Sequence, residues 1–184
     1  MSASLSQSLV WGHGPLNLEI FLEPTCPFSG KAFAKLLPLL AQAGEDRLRL
    51  QIRLLSQPWH LLSPTITRAI LAAATLPGGK AAAYQVMDAV FREREQFILI
   101  DHCSGPNLAL SVQGVLERIA ACSGVNVSAA FPTPALMGEM KWQARYARQN
   151  GIHVTPTFMV DGLVAPDMGS GDSVATWLDK LGLA

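Results

Sequence analysis

The chain has 184 residues, a length that suits one domain with a helical elaboration better than two domains. Hydrophobic residues make up 49% of it and charged residues only 15%, with 14 basic and 14 acidic side chains. That balance argues against the clustered basic surface that nucleic-acid binding requires. No apolar run approaches the roughly 20 residues of a membrane span, and residues 1–14 show no signal-peptide pattern. We therefore expect a soluble, cytoplasmic protein with neither nucleic acid nor membrane as a partner.

The first third of the chain predicts a βαβ unit. Residues 17–22 read as a short apolar strand, and residues 28–43 as a helix that ends at Gly44 and is kinked by Pro38. Residues 48–55 alternate apolar and polar side chains, which indicates a half-buried strand. A helix that links two such strands normally crosses right-handedly and pairs them in parallel.

The middle of the chain is predicted to be helical, and its end to form a hairpin and a helix. The expected helices lie near 64–76, 80–96, 108–123 and 135–149. Asp161-Gly162 predicts a tight turn between strands 157–160 and 163–165. A terminal helix is expected over 172–182, capped by Asp172 and closed by Gly182.

This order of elements predicts one α/β domain that is interrupted by helices. The two outer segments, 1–62 and 151–184, can share a sheet only if residues 63–150 form an inserted helical subdomain. The sheet halves then meet across a long gap in the sequence.

Cys26 follows the first predicted strand and begins the first predicted helix. The first amides of a helix lack internal partners, and the helix dipole adds partial positive charge, so both favour a thiolate there. Pro27 fits the first helical turn because its missing N–H costs nothing at that position. Ser29 is placed to donate a hydroxyl hydrogen bond to the thiolate. Cys26 is thus the candidate nucleophile. The alternative interpretation is that Cys26 is an inert small residue in a buried turn.

Two segments carry a resemblance to a known family. The Cys-Pro-Phe-Ser segment at residues 26–29 resembles the redox motif of the thioredoxin superfamily, with the second cysteine replaced by serine. Residues 154–162, VTPTFMVDG, are similar to the cis-proline loop and hairpin of DsbA-like oxidoreductases. The resemblance implies a thioredoxin-like fold with an inserted helical domain. It also implies that Thr155 and Pro156 face the cysteine and bind substrate, as strand addition at a short edge would allow.

The resemblance implies thiol–disulfide oxidoreductase or isomerase chemistry with a single nucleophile. Ser29 cannot resolve a mixed disulfide, so an external thiol is needed, and glutathione is the expected co-substrate. No bound cofactor or metal is expected. The expected partners are protein or peptide thiols and disulfides, or glutathione, and the oligomeric state is left open.

The sequence also gives expectations for other residues, and some of these residues allow two interpretations. Phe28 is expected to be exposed beside Cys26 in an apolar substrate groove. His60 follows the second strand and either assists a thiol proton transfer or lies on the surface. Glu23 either repels a thiolate or accepts a proton. Trp59 is expected to pack in the core or at a domain interface, and Cys103 is expected to be structural or a remote resolving thiol.

Three other functions remain open at this point. One is a glutathione transferase or isomerase similar to the kappa class, in which Ser29 or Cys26 orients the glutathione thiol. Another is a peroxidatic thiol like that of peroxiredoxins, although Thr25 directly precedes Cys26 and the usual threonine spacing is absent. The last is a non-catalytic scaffold that binds a peptide beside Pro156.

Overall fold

A computed structural model describes residues 8–184 of the chain. The elements, in chain order, are β1 (Val10–Trp11), β2 (Leu16–Leu22), α1 (Pro27–Phe33), α2 (Leu36–Ala43), β3 (Leu48–Leu54), α3 (Ser63–Ala73), α4 (Gly79–Arg92), α5 (Val112–Ser123), α6 (Pro134–Gln149), β4 (Thr157–Val160), β5 (Leu163–Val164) and α7 (Val174–Leu181). Short 3-10 helices at Arg94–Gln96 and Pro106–Ala109 lie between α4 and α5. Within residues 8–184, no helix is both long and apolar enough to cross a membrane.

The strands of the described residues form one sheet in the order β1-β3-β2-β4-β5. β2 and β3 are parallel along their whole length, as the βαβ pattern predicts. β4 pairs antiparallel with β2, with Phe158 opposite Ile20, so the C-terminal hairpin joins the sheet across the intervening helices. The predicted α/β fold with inserted helices is confirmed, while the boundaries 1–62, 63–150 and 151–184 stay a prediction. β1, which pairs with the far edge of β3, was not predicted.

The single helix predicted for residues 28–43 is in fact two helices that are separated at Ala34 and Lys35. Pro38 has no N–H, so it cannot donate to the carbonyl of Ala34, four residues earlier. At this point the hydrogen bond joins residues three positions apart, because the Lys35 N–H donates to the Ala32 carbonyl at 3.0 Å. The predicted kink is therefore a full break, and it lies one turn before the proline.

Both faces of β3 are buried, although the alternating pattern predicted a solvent-facing side. Leu50 and Ile52 belong to the main hydrophobic core. On the opposite face Arg53 is only 6% exposed, because α6 covers it. Its guanidinium bonds the Glu19 carboxylate at 2.6 Å and lies 5.1 Å from the centre of the Tyr146 ring. The bond to Glu19 offsets part of the free-energy cost of burying the Arg53 charge beneath α6.

Two helix ends differ from the prediction for local reasons. α5 begins at Val112, because the Ser111 hydroxyl accepts the N–H of Gly114 at 3.1 Å and caps the helix there. α7 is capped by Ser173 and not by Asp172, whose carboxylate instead accepts the N–H of Gly169 at 2.9 Å. The predicted C-terminal cap is confirmed, since Gly182 has a φ of 66° in the left-handed region.

Candidate active site

Cys26 lies between β2 and α1 and is the N-cap residue of that helix. Its carbonyl accepts the N–H of Gly30 at 3.0 Å, and Pro27 occupies the first helical turn. The cysteine is only 8% exposed. The helix start thus holds the sulfur at the carboxyl end of a central strand, as the sequence predicted.

The loop that contains Pro156 faces this cysteine. The Thr155–Pro156 peptide bond is cis, and the Cys26 Sγ lies 3.7 Å from the Thr155 carbonyl oxygen. Ladder pairing between β2 and β4 begins only at Thr157, which lies opposite Phe21. Thr155 and Pro156 are therefore outside the ladder, and the Thr155 carbonyl lies beside the sulfur.

A cavity of about 360 Å³ opens beside Cys26. Its wall includes five residues that the sequence analysis singled out for the site, namely Cys26, Pro27, Phe28, His60 and Thr155. It also includes Gln57, Trp59, Arg94, His102 and Val154. The structure thus brings most of the predicted site together and adds a second group of residues to it.

The mouth of the cavity is apolar. Phe28 is 56% exposed, Trp59 is 50% exposed and Val154 is 65% exposed. Trp59 was expected to pack in the core or at a domain interface; it is half exposed on the loop after β3 and contributes to this mouth. Exposed apolar side chains clustered in this way are typical of binding surfaces.

The polar wall of the cavity carries basic and no acidic side chains among the described residues. Arg94 lies between α4 and α5, and its Nε donates to the Thr25 carbonyl at 2.6 Å. Its guanidinium also pairs with the exposed carboxylate of Glu95 at 3.1 Å. The His102 ring lies edge-on to the His60 ring, with 5.1 Å between their centres.

Ser29 does not reach the cavity. Its side chain is fully buried, and its Oγ accepts the backbone N–H of Glu23 at 3.1 Å. The sequence placed Ser29 beside the thiolate as a donor, whereas the bond that the structure records supports the turn that leads into α1.

A buried carboxyl lies behind Cys26. Glu23 has no exposed surface, and it accepts the N–H of Thr25 at 2.9 Å and the Thr25 hydroxyl at 3.0 Å. Burial raises the pKa of Glu23, while the Ser63 and Thr25 hydroxyls and the N–H of Cys26 lower it in part. The Ser63 hydroxyl lies near this carboxyl, although it makes no contact with hydrogen-bond geometry among the described residues.

His60 connects this carboxyl with the cavity wall. Its Nδ1 lies 2.9 Å from the Thr25 Oγ1 and 3.7 Å from the Glu23 Oε2. Burial lowers the pKa of His60, and the neighbouring His102 and Arg94 lower it further. These surroundings favour the neutral imidazole, which lies within hydrogen-bond reach of a hydroxyl that also bonds a carboxyl.

Sequence reasoning missed Thr25, Arg94 and His102 as parts of the site. Arg94 and His102 come from the helical segment, about 70 residues beyond Cys26, and no local motif marks them. Cys103 is exposed, Cys122 is partly buried, and the described cysteines are all free. Nothing in residues 8–184 therefore supplies a disulfide partner for Cys26 in this state.

Comparison with known proteins identifies the family. No protein-family model matches the sequence, and no curated protein matches it. A solved structure from Pseudomonas syringae, to which a protein-disulfide isomerase function is attributed, shares 55% identity, with a TM-score of 0.95 over 97% of this chain and 99% of that one.

More distant structures share the fold alone. They include a thioredoxin-like oxidoreductase from Silicibacter pomeroyi, with 22% identity and a TM-score of 0.68 over 94% of this chain and 89% of that one. DsbA2 of Pseudomonas aeruginosa has 18% identity and a TM-score of 0.66 over 100% and 96% of the two chains. With the cysteine, the cis-proline loop and the inserted helices in place, this chain belongs to the DsbA-like proteins of the thioredoxin superfamily.

Proposed function

We propose that this protein is a thiol–disulfide oxidoreductase or isomerase in which Cys26 is the single nucleophile. The observation that carries the proposal is the position of the Cys26 Sγ, 3.7 Å from the Thr155 carbonyl oxygen at the wall of an open cavity. The attribution of protein-disulfide isomerase function to the 55% identical relative supports the same class of reaction.

The reaction begins with attack of the Cys26 thiolate on one sulfur of a substrate disulfide. The substrate S–S bond breaks, a bond between Cys26 and the attacked sulfur forms, and the other sulfur leaves as a thiolate that takes up a proton. Because residue 29 is a serine, it has no thiol with which to displace the bound sulfur. Resolution then needs an external thiol such as glutathione, or a second thiol of the substrate, in which case the substrate disulfide is isomerised.

Substrate binding is proposed for the surface around the sulfur. An extended peptide or glutathione would lie along Thr155 and Pro156, which stand outside the β2–β4 ladder. Phe28 and Trp59 offer apolar contacts at the cavity mouth, and Arg94 offers a positive charge for a carboxylate. This arrangement fits the glutathione-linked chemistry that we propose, and a protein or peptide thiol uses the same surface.

The test is formation of a mixed disulfide. The full chain, in reduced form, is incubated with oxidised glutathione, and the adduct is located by intact mass and peptide mapping. We expect one glutathione on Cys26, no such adduct in Cys26→Ser, and an unchanged Cys26 adduct in the control Cys103→Ser. A protein that stays unmodified at Cys26, with the folded state verified, would leave a non-catalytic peptide-binding scaffold as the better account.

A further inference from the structure

The hydroxyl of Thr25 lies between a buried carboxyl and an imidazole. Its Oγ1 is 3.0 Å from both carboxylate oxygens of Glu23 and 2.9 Å from the Nδ1 of His60. A hydroxyl has one proton and can donate to only one of these neighbours at a time. The two contacts therefore allow two hydrogen-bond arrangements, which differ in where the protons lie.

In the first arrangement Glu23 is ionised and accepts the Thr25 hydroxyl proton. His60 must then donate Nδ1–H to the Thr25 oxygen, so that its Nε2 is an acceptor. In the second arrangement Glu23 is protonated and donates to Thr25, which donates to Nδ1 in turn. The proton of His60 then lies on Nε2, and the imidazole is neutral in both arrangements.

The surroundings favour these neutral imidazole states over an ion pair. The groups that face the pair are Ser63 from α3, Arg94 from the 3-10 helix and His102 from the loop that follows it. Burial raises the pKa of Glu23, and burial together with His102 and Arg94 lowers that of His60. The surroundings of Glu23 disfavour its carboxylate form, and those of His60 disfavour its imidazolium form. Both effects act against an ion pair, although the two groups lie only 3.7 Å apart.

We propose that Thr25 is the positioning residue of a proton relay that couples the charge of Glu23 to the tautomer of His60. The relay serves thiol chemistry because His60 lines the same cavity as Cys26, and this part rests on the proposed function. Nδ1 is occupied by Thr25, so Nε2 is the ring nitrogen left for a thiol, directly or through a water.

Proton transfer along this relay conserves protons and charge, and it does not require His60 to become an imidazolium. A thiol in the cavity gives its proton to Nε2, the Nδ1 proton passes to the Thr25 oxygen, and the Thr25 hydroxyl proton passes to Glu23. The thiol becomes a thiolate and the carboxylate becomes an acid, so that one negative charge moves from the buried carboxyl to sulfur. The reverse sequence protonates the thiolate that leaves during disulfide exchange.

The test is the tautomer of His60 as a function of pH. The full chain is labelled with 15N-histidine, the His60 signals are assigned with His60→Asn, and two-bond 1H–15N spectra are recorded from about pH 9 to about pH 5. On the first proton uptake at this site we expect His60 to change from the Nδ1–H to the Nε2–H tautomer. Thr25→Ser keeps the change, Thr25→Val abolishes it, and Glu23→Gln holds the Nε2–H tautomer throughout, because the amide donates to Thr25.

A single tautomer throughout the range in the wild-type protein would overturn the relay. So would direct conversion of Nδ1–H to the doubly protonated ring, or a Thr25→Val variant that changes tautomer like the wild type. The glutathione experiment separates this result from the proposed function. An adduct on Cys26 without a tautomer change overturns the relay alone, and a tautomer change without an adduct overturns the thiol chemistry that it serves.

Discussion

The sulfur of Cys26 lies 3.7 Å from the carbonyl oxygen of Thr155, a residue 129 positions further along the chain. β2 and β4 bring the two residues together, since the first strand ends just before Cys26 and the second begins just after Pro156. The contact thus depends on sheet formation between two segments that the inserted helices separate.

Arg94 is expected to favour anionic disulfides. It carries the permanent positive charge in the cavity wall, so Arg94→Gln should lower the rate of Cys26 modification by oxidised glutathione by about two- to fivefold. The rate with the neutral disulfide of 2-mercaptoethanol should change much less. Both rates are measured by mass spectrometry at low ionic strength, where such an effect is largest.

Arg92→Gln is the matched control, because Arg92 is 58% exposed at the side chain and does not line this cavity. Equal losses with the charged and the neutral disulfide in Arg94→Gln would mean that Arg94 acts through its bond to Thr25 and not through its charge.

Ser29→Cys should turn the site into a two-cysteine site. A thiol at this position, three residues after Cys26, would attack the mixed disulfide and release glutathione, so that the adduct becomes short-lived. The measurement is the lifetime of the Cys26 adduct after excess oxidised glutathione is removed. An adduct as stable as that of the wild-type protein would show that residue 29 cannot reach the sulfur.

Ser29→Ala should destabilise the fold. The Ser29 Oγ accepts the buried N–H of Glu23, and alanine leaves this donor without its partner. An unsatisfied buried donor costs about 1–3 kcal/mol of unfolding free energy. Urea denaturation measures this loss, and Ser128→Ala, at an exposed position, is the control that should unfold like the wild type.

Glu23→Gln should stabilise the protein at neutral pH. A carboxyl whose folded-state pKa is raised contributes most below its unfolded pKa, near 4.5, and the contribution falls as pH rises to the folded value. Glutamine carries no such penalty and keeps an acceptor for the Thr25 N–H. The stability gain of the variant should therefore grow as pH rises above about 4.5 and then become constant.

Thermal unfolding at a series of pH values checks this prediction. Glu95→Gln is the control because the Glu95 side chain is 84% exposed, and its stability difference from the wild type should stay small. A Glu23→Gln variant that is less stable than the wild type at pH 7 would contradict the account of the buried carboxyl.

The parts of the site that the sequence predicted are those with a local signal. Cys26 follows an apolar strand and precedes a helix, and Thr155-Pro156 precedes a strand with a strong turn. Each pattern is readable within about ten residues. The resemblance to DsbA-like proteins connected the two segments, which spacing alone could not do.

The parts that the sequence missed depend on contacts between distant elements. Arg94 and His102 reach the cavity because the helical segment folds back over α1, and neither position carries a motif. Arg53 looked solvent-facing because period-2 alternation shows which side chains share a face but not whether a helix covers the other one. Pro38 predicted a kinked helix. The helix in fact breaks at Ala34 and Lys35, because Pro38 has no N–H to donate to the Ala34 carbonyl.

The most direct test of Cys26 as the nucleophile is its alkylation rate relative to that of Cys103. The folded protein is treated with iodoacetamide across a range of pH, and each cysteine is followed by peptide mass spectrometry, with the unfolded protein as the reference. We predict that Cys26 reacts about tenfold faster than Cys103 near pH 7, although Cys26 is 8% exposed and Cys103 is exposed. Faster reaction of Cys103 at every pH, with Cys26 unmodified in the folded protein, would contradict the account.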